Sequence, residues 1–230
     1  RLRGKILFKF FSSTTPPFQV KVSNKLFNAE NNSDISDHLN FLYMITLIHK
    51  PEVIMELGTR GGESTRVFHH LAHKYNLQGY SVDLVAQPGW LANSTNWKHF
   101  ESDDISFGNN LSKAGKFPTG ETFSGIDLLF IDTSHEYEHT KEELKTYWPL
   151  VKPGGLMIFH DTNLTNKSSR RLDGTVNRGW DNQRGVTRAI EEFFDCSIEE
   201  NSLYVEEIAS HKSIFLNVPW CNGLLVLRKG

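Results

Sequence analysis

Hydrophobic positions change their period several times along the chain, and the changes mark out alternating strands and helices. Over residues 35–49, Leu39, Leu42, Ile45 and Leu47 recur at helical spacing after a polar stretch at 28–34, which predicts an opening helix. Pro51 closes that segment, and Val53-Ile-Met-Glu-Leu57 is a short apolar run of the kind that forms a buried strand. A glycine-bearing turn, Gly58-Thr-Arg-Gly-Gly62, separates it from a helix starting near Glu63, with Val67, Phe68, Leu71, Ala72 and Tyr75 on one face. Residues 79–83 and 126–131 predict two further strands, the second nearly all apolar, as parallel strands covered on both faces are. A helix between 136 and 151 carries Thr140, Leu144, Tyr147 and Trp148, and Pro153-Gly-Gly155 stops it before a strand at 156–159. The polar segment 163–184, which includes Trp180, predicts a mobile lid or substrate loop, and the next helix turns Val186, Ala189, Ile190, Phe193 and Phe194 inward. Residues 213–218 and 223–228, around Pro219-Trp-Cys-Asn222, predict a closing antiparallel hairpin.

Strand and helix alternate throughout, which predicts an α/β domain with a doubly wound, mainly parallel sheet and ligands beyond the carboxyl ends of its strands. Composition agrees: 230 residues with 38% apolar and 12% aromatic content bury one core unaided. Residues 34–230 are expected to form that domain, with 1–33 as a basic and apolar arm that serves as a packing or partner contact. Lys plus Arg (25) nearly balances Asp plus Glu (27), so a small-molecule partner is expected and nucleic acid is not. No apolar run reaches the roughly 20 residues of a spanning helix. Cys196 and Cys221 form no paired motif, so inert thiols and a cytoplasmic location are expected.

Chemistry should gather just after the strands. In Glu56-Leu-Gly58-Thr-Arg-Gly61-Gly62-Glu-Ser64, glycines between strand and helix let bare backbone approach a nucleotide-like ligand, and the acid at the strand suits a cationic or zwitterionic one rather than a pyrophosphate. Asp132 and Asp161 each follow an apolar strand. Were those strands neighbours, the two ends would lie about 5 Å apart and both carboxylates would face one hard cation.

These segments resemble the class I S-adenosylmethionine-dependent methyltransferases, whose first motif is matched by Glu56, Gly58, Gly62 and Ser64. The resemblance covers roughly 35–195 and is closest to small-molecule O-methyltransferases of the catechol, macrolide-sugar and rhamnose-modifying kind and a cephalosporin-hydroxylase-related group. It implies a Rossmann-like methyltransferase fold, a mainly parallel seven-stranded sheet ending in the antiparallel hairpin. It implies that Asp83 receives the ribose hydroxyls of S-adenosylmethionine and that Ser102 and Asp103 border the adenine, with Asp104 as an alternative helix cap. A divalent metal, Mg²⁺ in several relatives, would rest on Asp132 and Asp161 with a further ligand beside the second acid, and here that neighbour is His160. Relatives often carry Glu before or Asn after this acid. A histidine instead favours a transition metal. His135, three residues beyond Asp132, stands where relatives place a general base. His69, His70, His73, His139 and His211 are expected on solvated faces, and the tryptophans other than Trp180 in the core. The expected activity is methyl transfer to a hydroxyl of a small-molecule acceptor, with a homo-oligomer as one option for the chain's assembly. The rivals are a non-catalytic S-adenosylmethionine-binding subunit or sensor, and a hydroxylase, for which no two-His-one-carboxylate triad is evident.

Overall fold

The computed structural model describes residues 34–164, 169–170, 176–177 and 182–230. The N-terminal arm and most of the 163–184 loop, Trp180 included, lie outside the described residues. A short 3-10 turn, Ser36–His38, leads into α1 (Leu39–His49), and β1 (Val53–Leu57) follows. Next come α2 (Glu63–Tyr75), β2 (Gln78–Asp83), β3 (Trp97–Glu101), α3 (Asp104–Ala114) and β4 (Ile126–Ile131). After α4 (Tyr137–Tyr147) and β5 (Val151–His160) lie the two-residue strands β6 (Ser169–Arg170) and β7 (Val176–Asn177), which pair only with each other. The chain ends with α5 (Gly185–Phe194), β8 (Tyr204–Ile208), β9 (Ser213–Val218) and β10 (Leu224–Arg228).

The main sheet has eight strands in the order β3-β2-β1-β4-β5-β10-β9-β8. The first five run parallel, and β10, β9 and β8 are each antiparallel to the preceding strand. The hairpin at the end therefore forms as expected, whereas the sheet has eight strands rather than seven. The extra strand, β8, is an edge strand whose Val205, Glu206 and Glu207 are exposed, so it lacks the apolar run that betrays a buried one. Strand β5 also starts earlier than the glycines suggest. Gly154 donates to Lys229 O and Lys229 donates to Gly155 O, and this pairing draws the Pro-Gly-Gly segment into the strand.

Alternate residues of the central strands feed two cores. Met55, Leu57, Leu129, Ile131, Met157 and Phe159 pack against α3, α4 and α5, while Ile54, Leu128, Phe130 and Ile158 meet α1 and α2 on the other face. Burial on both faces explains why β1 and β4 are almost uninterrupted apolar runs. Each large side chain removed from water contributes about 1.5–3 kcal/mol. Trp97 is buried in the second core and donates its Nε1 hydrogen to Ser81. Cys221 is buried, and its thiol faces Asp34 O at 2.6 Å, while burial pushes the Cys196 thiol up to about 11.

Candidate active site

Three strand ends meet at the centre of the sheet. Gly58 leaves β1 with φ +81°, and a β-carbon there would lie 2.1 Å from the carbonyl oxygen of Asp132. Only glycine permits both that left-handed backbone and that approach. Gly58 N donates to Val82 O and Asp132 N to Leu57 O, which stitches the turn between β2 and β4. Asp83 then gathers the turn. Its Oδ2 accepts the Thr59 and Arg60 amides at 2.5 and 3.0 Å, and its Oδ1 accepts Val85 N at 3.1 Å. Gly61 faces open space, and Gly62 caps α2 without any side-chain bond, so first-turn amides of this helix remain for a ligand.

Glu56 and Ser64 lie behind this turn rather than on it. Glu56 is fully buried and accepts hydroxyl hydrogens from Ser64 (2.6 Å), Thr65 (2.6 Å) and Ser81 (2.9 Å), so the side chains of Glu56 and Ser64, both expected at the cofactor, are bonded to each other. An acid on the sheet face that carries α1 and α2 is held by the neighbouring hydroxyls and cannot reach the strand ends. Burial pushes it up to about 7, against the three hydroxyl hydrogen bonds.

Ser102 N donates to Asp83 O, so the end of β3 joins the same edge. Asp103, not Asp104, caps α3, its Oδ1 accepting Ser106 N at 2.7 Å. A cavity of about 590 Å³ beside Ser102, lined also by Phe100, Phe107, Lys116 and Phe117, is distinct from the acids, since none of Asp83, Asp132 or Asp161 lines it.

Because β4 and β5 are neighbours with Ile131 opposite Phe159, Asp132 and Asp161 do converge. His135 bridges them, its Nε2 2.9 Å from Asp132 Oδ1 and 3.0 Å from Asp161 Oδ2. His135 (φ 59°) and Asp161 (φ 56°) both adopt left-handed backbone, a cost of order 1–3 kcal/mol each that concentrates at functional sites. His160 lies behind the pair. It is buried, with Nδ1 3.2 Å from Asp132 Oδ1 and 3.3 Å from Asp161 Oδ1, and its ring meets His38 edge-on at 5.3 Å. One polar atom each of Asp132, His135 and Asp161 therefore lies within 4.8 Å of the others, while His160 supports them from beneath.

Burial by itself would raise both acids and lower both histidines. Instead the positive charge of His160 and the hydrogen bonds from His135 and His160 hold Asp132 and Asp161 well below the usual carboxylate range. In return, hydrogen bonds to the two acids push His135 up to about 10, and their charges raise His160 well above its ordinary value. His38, with burial dominant and the charge of His160 adding, falls to about 3 and stays neutral.

The sequence did not reveal the supports of the His135 turn. Asn182 Nδ2 donates to His135 O at 3.3 Å, and a β-carbon on Gly185 would lie 2.6 Å from that same oxygen. Gly185 opens α5, and its contact with a turn 50 residues earlier had no local signal. The same holds for His139, expected on a solvated face. Its Nε2 instead lies 3.1 Å from Asp104 Oδ2 and 3.6 Å from Glu143 Oε1, and the bond to Asp104 pushes it up to about 9.

Two family models match: a methyltransferase domain over residues 55–162 and the rhamnosyl O-methyltransferase/CmcI family over 119–225. No curated protein sequence matches. Solved structures share the fold at low identity. The O-methyltransferase from Bacillus cereus in complex with SAH is 15% identical with a TM-score of 0.54, over 100% of this chain and 97% of that one. The TDP-rhamnose 3′-O-methyltransferase of calicheamicin biosynthesis is 19% identical with a TM-score of 0.52, over 99% and 93%. The methyltransferase MycE of the mycinamycin pathway, in complex with Mg, SAH and mycinamycin VI, is 16% identical with a TM-score of 0.54 over 91% of this chain, which spans 54% of MycE. The two family models, each over just under half of the chain, together run without a gap from residue 55 to 225, across every strand end described above, and by them the chain is similar to the S-adenosylmethionine-dependent methyltransferases of the O-methyltransferase branch.

Proposed function

We propose that the domain of residues 34–230 methylates a hydroxyl of a small-molecule acceptor, with S-adenosylmethionine held along the β1–β2–β3 edge and the acceptor placed over β4 and β5. The observation that carries this reading is the convergence of Asp132, His135 and Asp161 beside the glycine turn, with Gly58 in backbone contact with Asp132. Bound S-adenosylmethionine supplies an electrophilic methyl group on a sulfonium. Gly58, Gly61 and Gly62 offer backbone to its polar tail, Asp83 lies at the ribose end, and Ser102 and Asp103 border the base.

The acids also fit a divalent ion. Asp161 is buried, and it and Asp132 bring one carboxylate oxygen each within 4.8 Å of the other and of His135 Nε2, a set of oxygen donors that suits a hard cation. Mg²⁺ or Mn²⁺ held there by Asp132 and Asp161 would acidify and orient the acceptor hydroxyl. His135 is charged at neutral pH while it bridges both acids, so it becomes a base only once their negative charge is neutralised in another way. It then stands close enough to take the hydroxyl proton as the oxygen attacks the methyl carbon. A cytoplasmic location accords with Cys196 and Cys221 being thiols rather than a disulfide.

The test is calorimetry with S-adenosylhomocysteine, followed by methyl transfer to a panel of sugar and aromatic diols with Mg²⁺ or with excess chelator. Binding, turnover with Mg²⁺, and loss of turnover in chelator and in Asp161→Asn are expected. No S-adenosylhomocysteine binding would overturn the cofactor assignment, and full activity in chelator would overturn the metal assignment.

A further inference from the structure

One step along the carboxyl edge from the catalytic acids, a second set of side chains converges. Asp104 opens α3, His139 and Glu143 stand one turn apart on α4, and Thr133 follows Asp132 directly. One ligand atom from each of Asp104, His139 and Glu143 falls within 4.8 Å of the others. An ion pair between His139 and Asp104 accounts for two of the three. It leaves Glu143 unexplained, since this carboxyl is fully buried beside the Asp104 carboxyl, with Oε1 accepting the Thr133 hydroxyl at 2.6 Å and Oε2 meeting no N–H or O–H donor among the described residues. Two buried carboxyls side by side without a donor between them are costly, and a bound cation is one way to satisfy them.

The spacing supports a bound cation. Ligands about 2.0–2.1 Å from a tetrahedral zinc lie about 3.3 Å from one another, and His139 Nε2 stands 3.1 Å from Asp104 Oδ2 and 3.6 Å from Glu143 Oε1. One imidazole nitrogen with two carboxylates suits Zn²⁺ over Mg²⁺, which takes oxygen almost exclusively. His139 is 28% exposed, which gives the ion and a completing water a way in.

We propose that Asp104, His139 and Glu143 form a second divalent-cation site, of zinc-type preference, separate from Asp132 and Asp161. Its ion would join the start of α3, beside the adenine-bordering Ser102 and Asp103, to α4 and to the turn that carries His135. The inference is independent of the reaction proposed above, because its ligands are not those of the catalytic pair.

The test uses the whole protein, stripped with chelator, dialysed, and loaded with Zn²⁺ or with Co²⁺ as a coloured substitute. Bound metal is counted by mass spectrometry, and melting temperature is followed in parallel. At least one Zn²⁺ equivalent is expected in the intact protein and one in Asp161→Asn, with one equivalent fewer than the intact protein in Glu143→Gln and in His139→Gln. At a free Zn²⁺ concentration of about 100 times Kd the melting temperature should rise by roughly 5–10 °C in the intact protein and by less than about 2 °C in those two variants. Should Glu143→Gln fail to fold, His139→Gln carries the same test at a partly exposed position, and visible Co²⁺ bands in the intact protein that change on His139→Gln report the nitrogen ligand directly. Zinc retained in full by a folded His139→Gln, or no Zn²⁺ equivalent in Asp161→Asn, would overturn the proposal.

Discussion

Replacing Glu56 by Gln should change how stability depends on pH more than it changes stability itself. In the native protein the carboxyl is fully buried under the glycine turn and is raised from its ordinary 4.5 to about 7. An acid raised on folding contributes stability that is complete below its unfolded value and is lost as pH rises through the folded one. With about 1.4 kcal/mol for each pH unit separating the two values, the intact protein should lose about 3 kcal/mol between pH 4.5 and 8 through this group. Gln keeps the shape and never ionises, but its amide hydrogens face one of the hydroxyls of Ser64, Thr65 or Ser81, a fixed cost of about 1–2 kcal/mol. The stability curves should therefore cross, with the variant weaker at pH 5 and stronger at pH 8. Urea denaturation of both proteins at pH 5, 6, 7 and 8 measures the difference directly, because every other titrating group cancels. A gap that stays constant across that range would show that Glu56 is ionised throughout and that its three hydroxyl partners outweigh burial.

Other changes probe the strand ends. Gly58→Ala must place a methyl against Asp132 O at positive φ, and should cost about 2–4 kcal/mol and weaken S-adenosylhomocysteine at least tenfold, a reading refuted by unchanged melting and affinity. Asp83→Asn turns amide hydrogens toward the Thr59 and Arg60 amides, so calorimetry should show a loss of cofactor affinity of about 10–100-fold, whereas Asp161→Asn should leave that affinity intact. His135→Gln should retain S-adenosylhomocysteine and lose about 100–10,000-fold in kcat with little change in KM, and a variant within tenfold of the intact enzyme would remove His135 from proton transfer.

The sequence alone determined the alternation of strands and helices, because strands buried on both faces read as unbroken apolar runs and amphipathic helices as spaced ones. It also determined that acids follow β4 and β5, since a carboxylate directly after such a run falls at the strand end, where the helix layers no longer cover it. Spacing placed His135 near Asp132. Tertiary structure decided what those groups do. Whether β4 and β5 are neighbours is a matter of strand order, which no local pattern encodes, and only that order brings Asp161 within 3.0 Å of His135. Glu56 looked like a ligand because it ends an apolar strand beside glycines. Its position on the sheet face toward α2 gives it to three hydroxyls instead. His139 and Glu143 show their helical spacing in the sequence, but Asp104 joins them from 35 residues away, through packing of α3 on α4. The edge strand β8 escaped for the opposite reason: exposed on the rim, it needs no apolar signature, and its pairing with β9 alone makes it a strand.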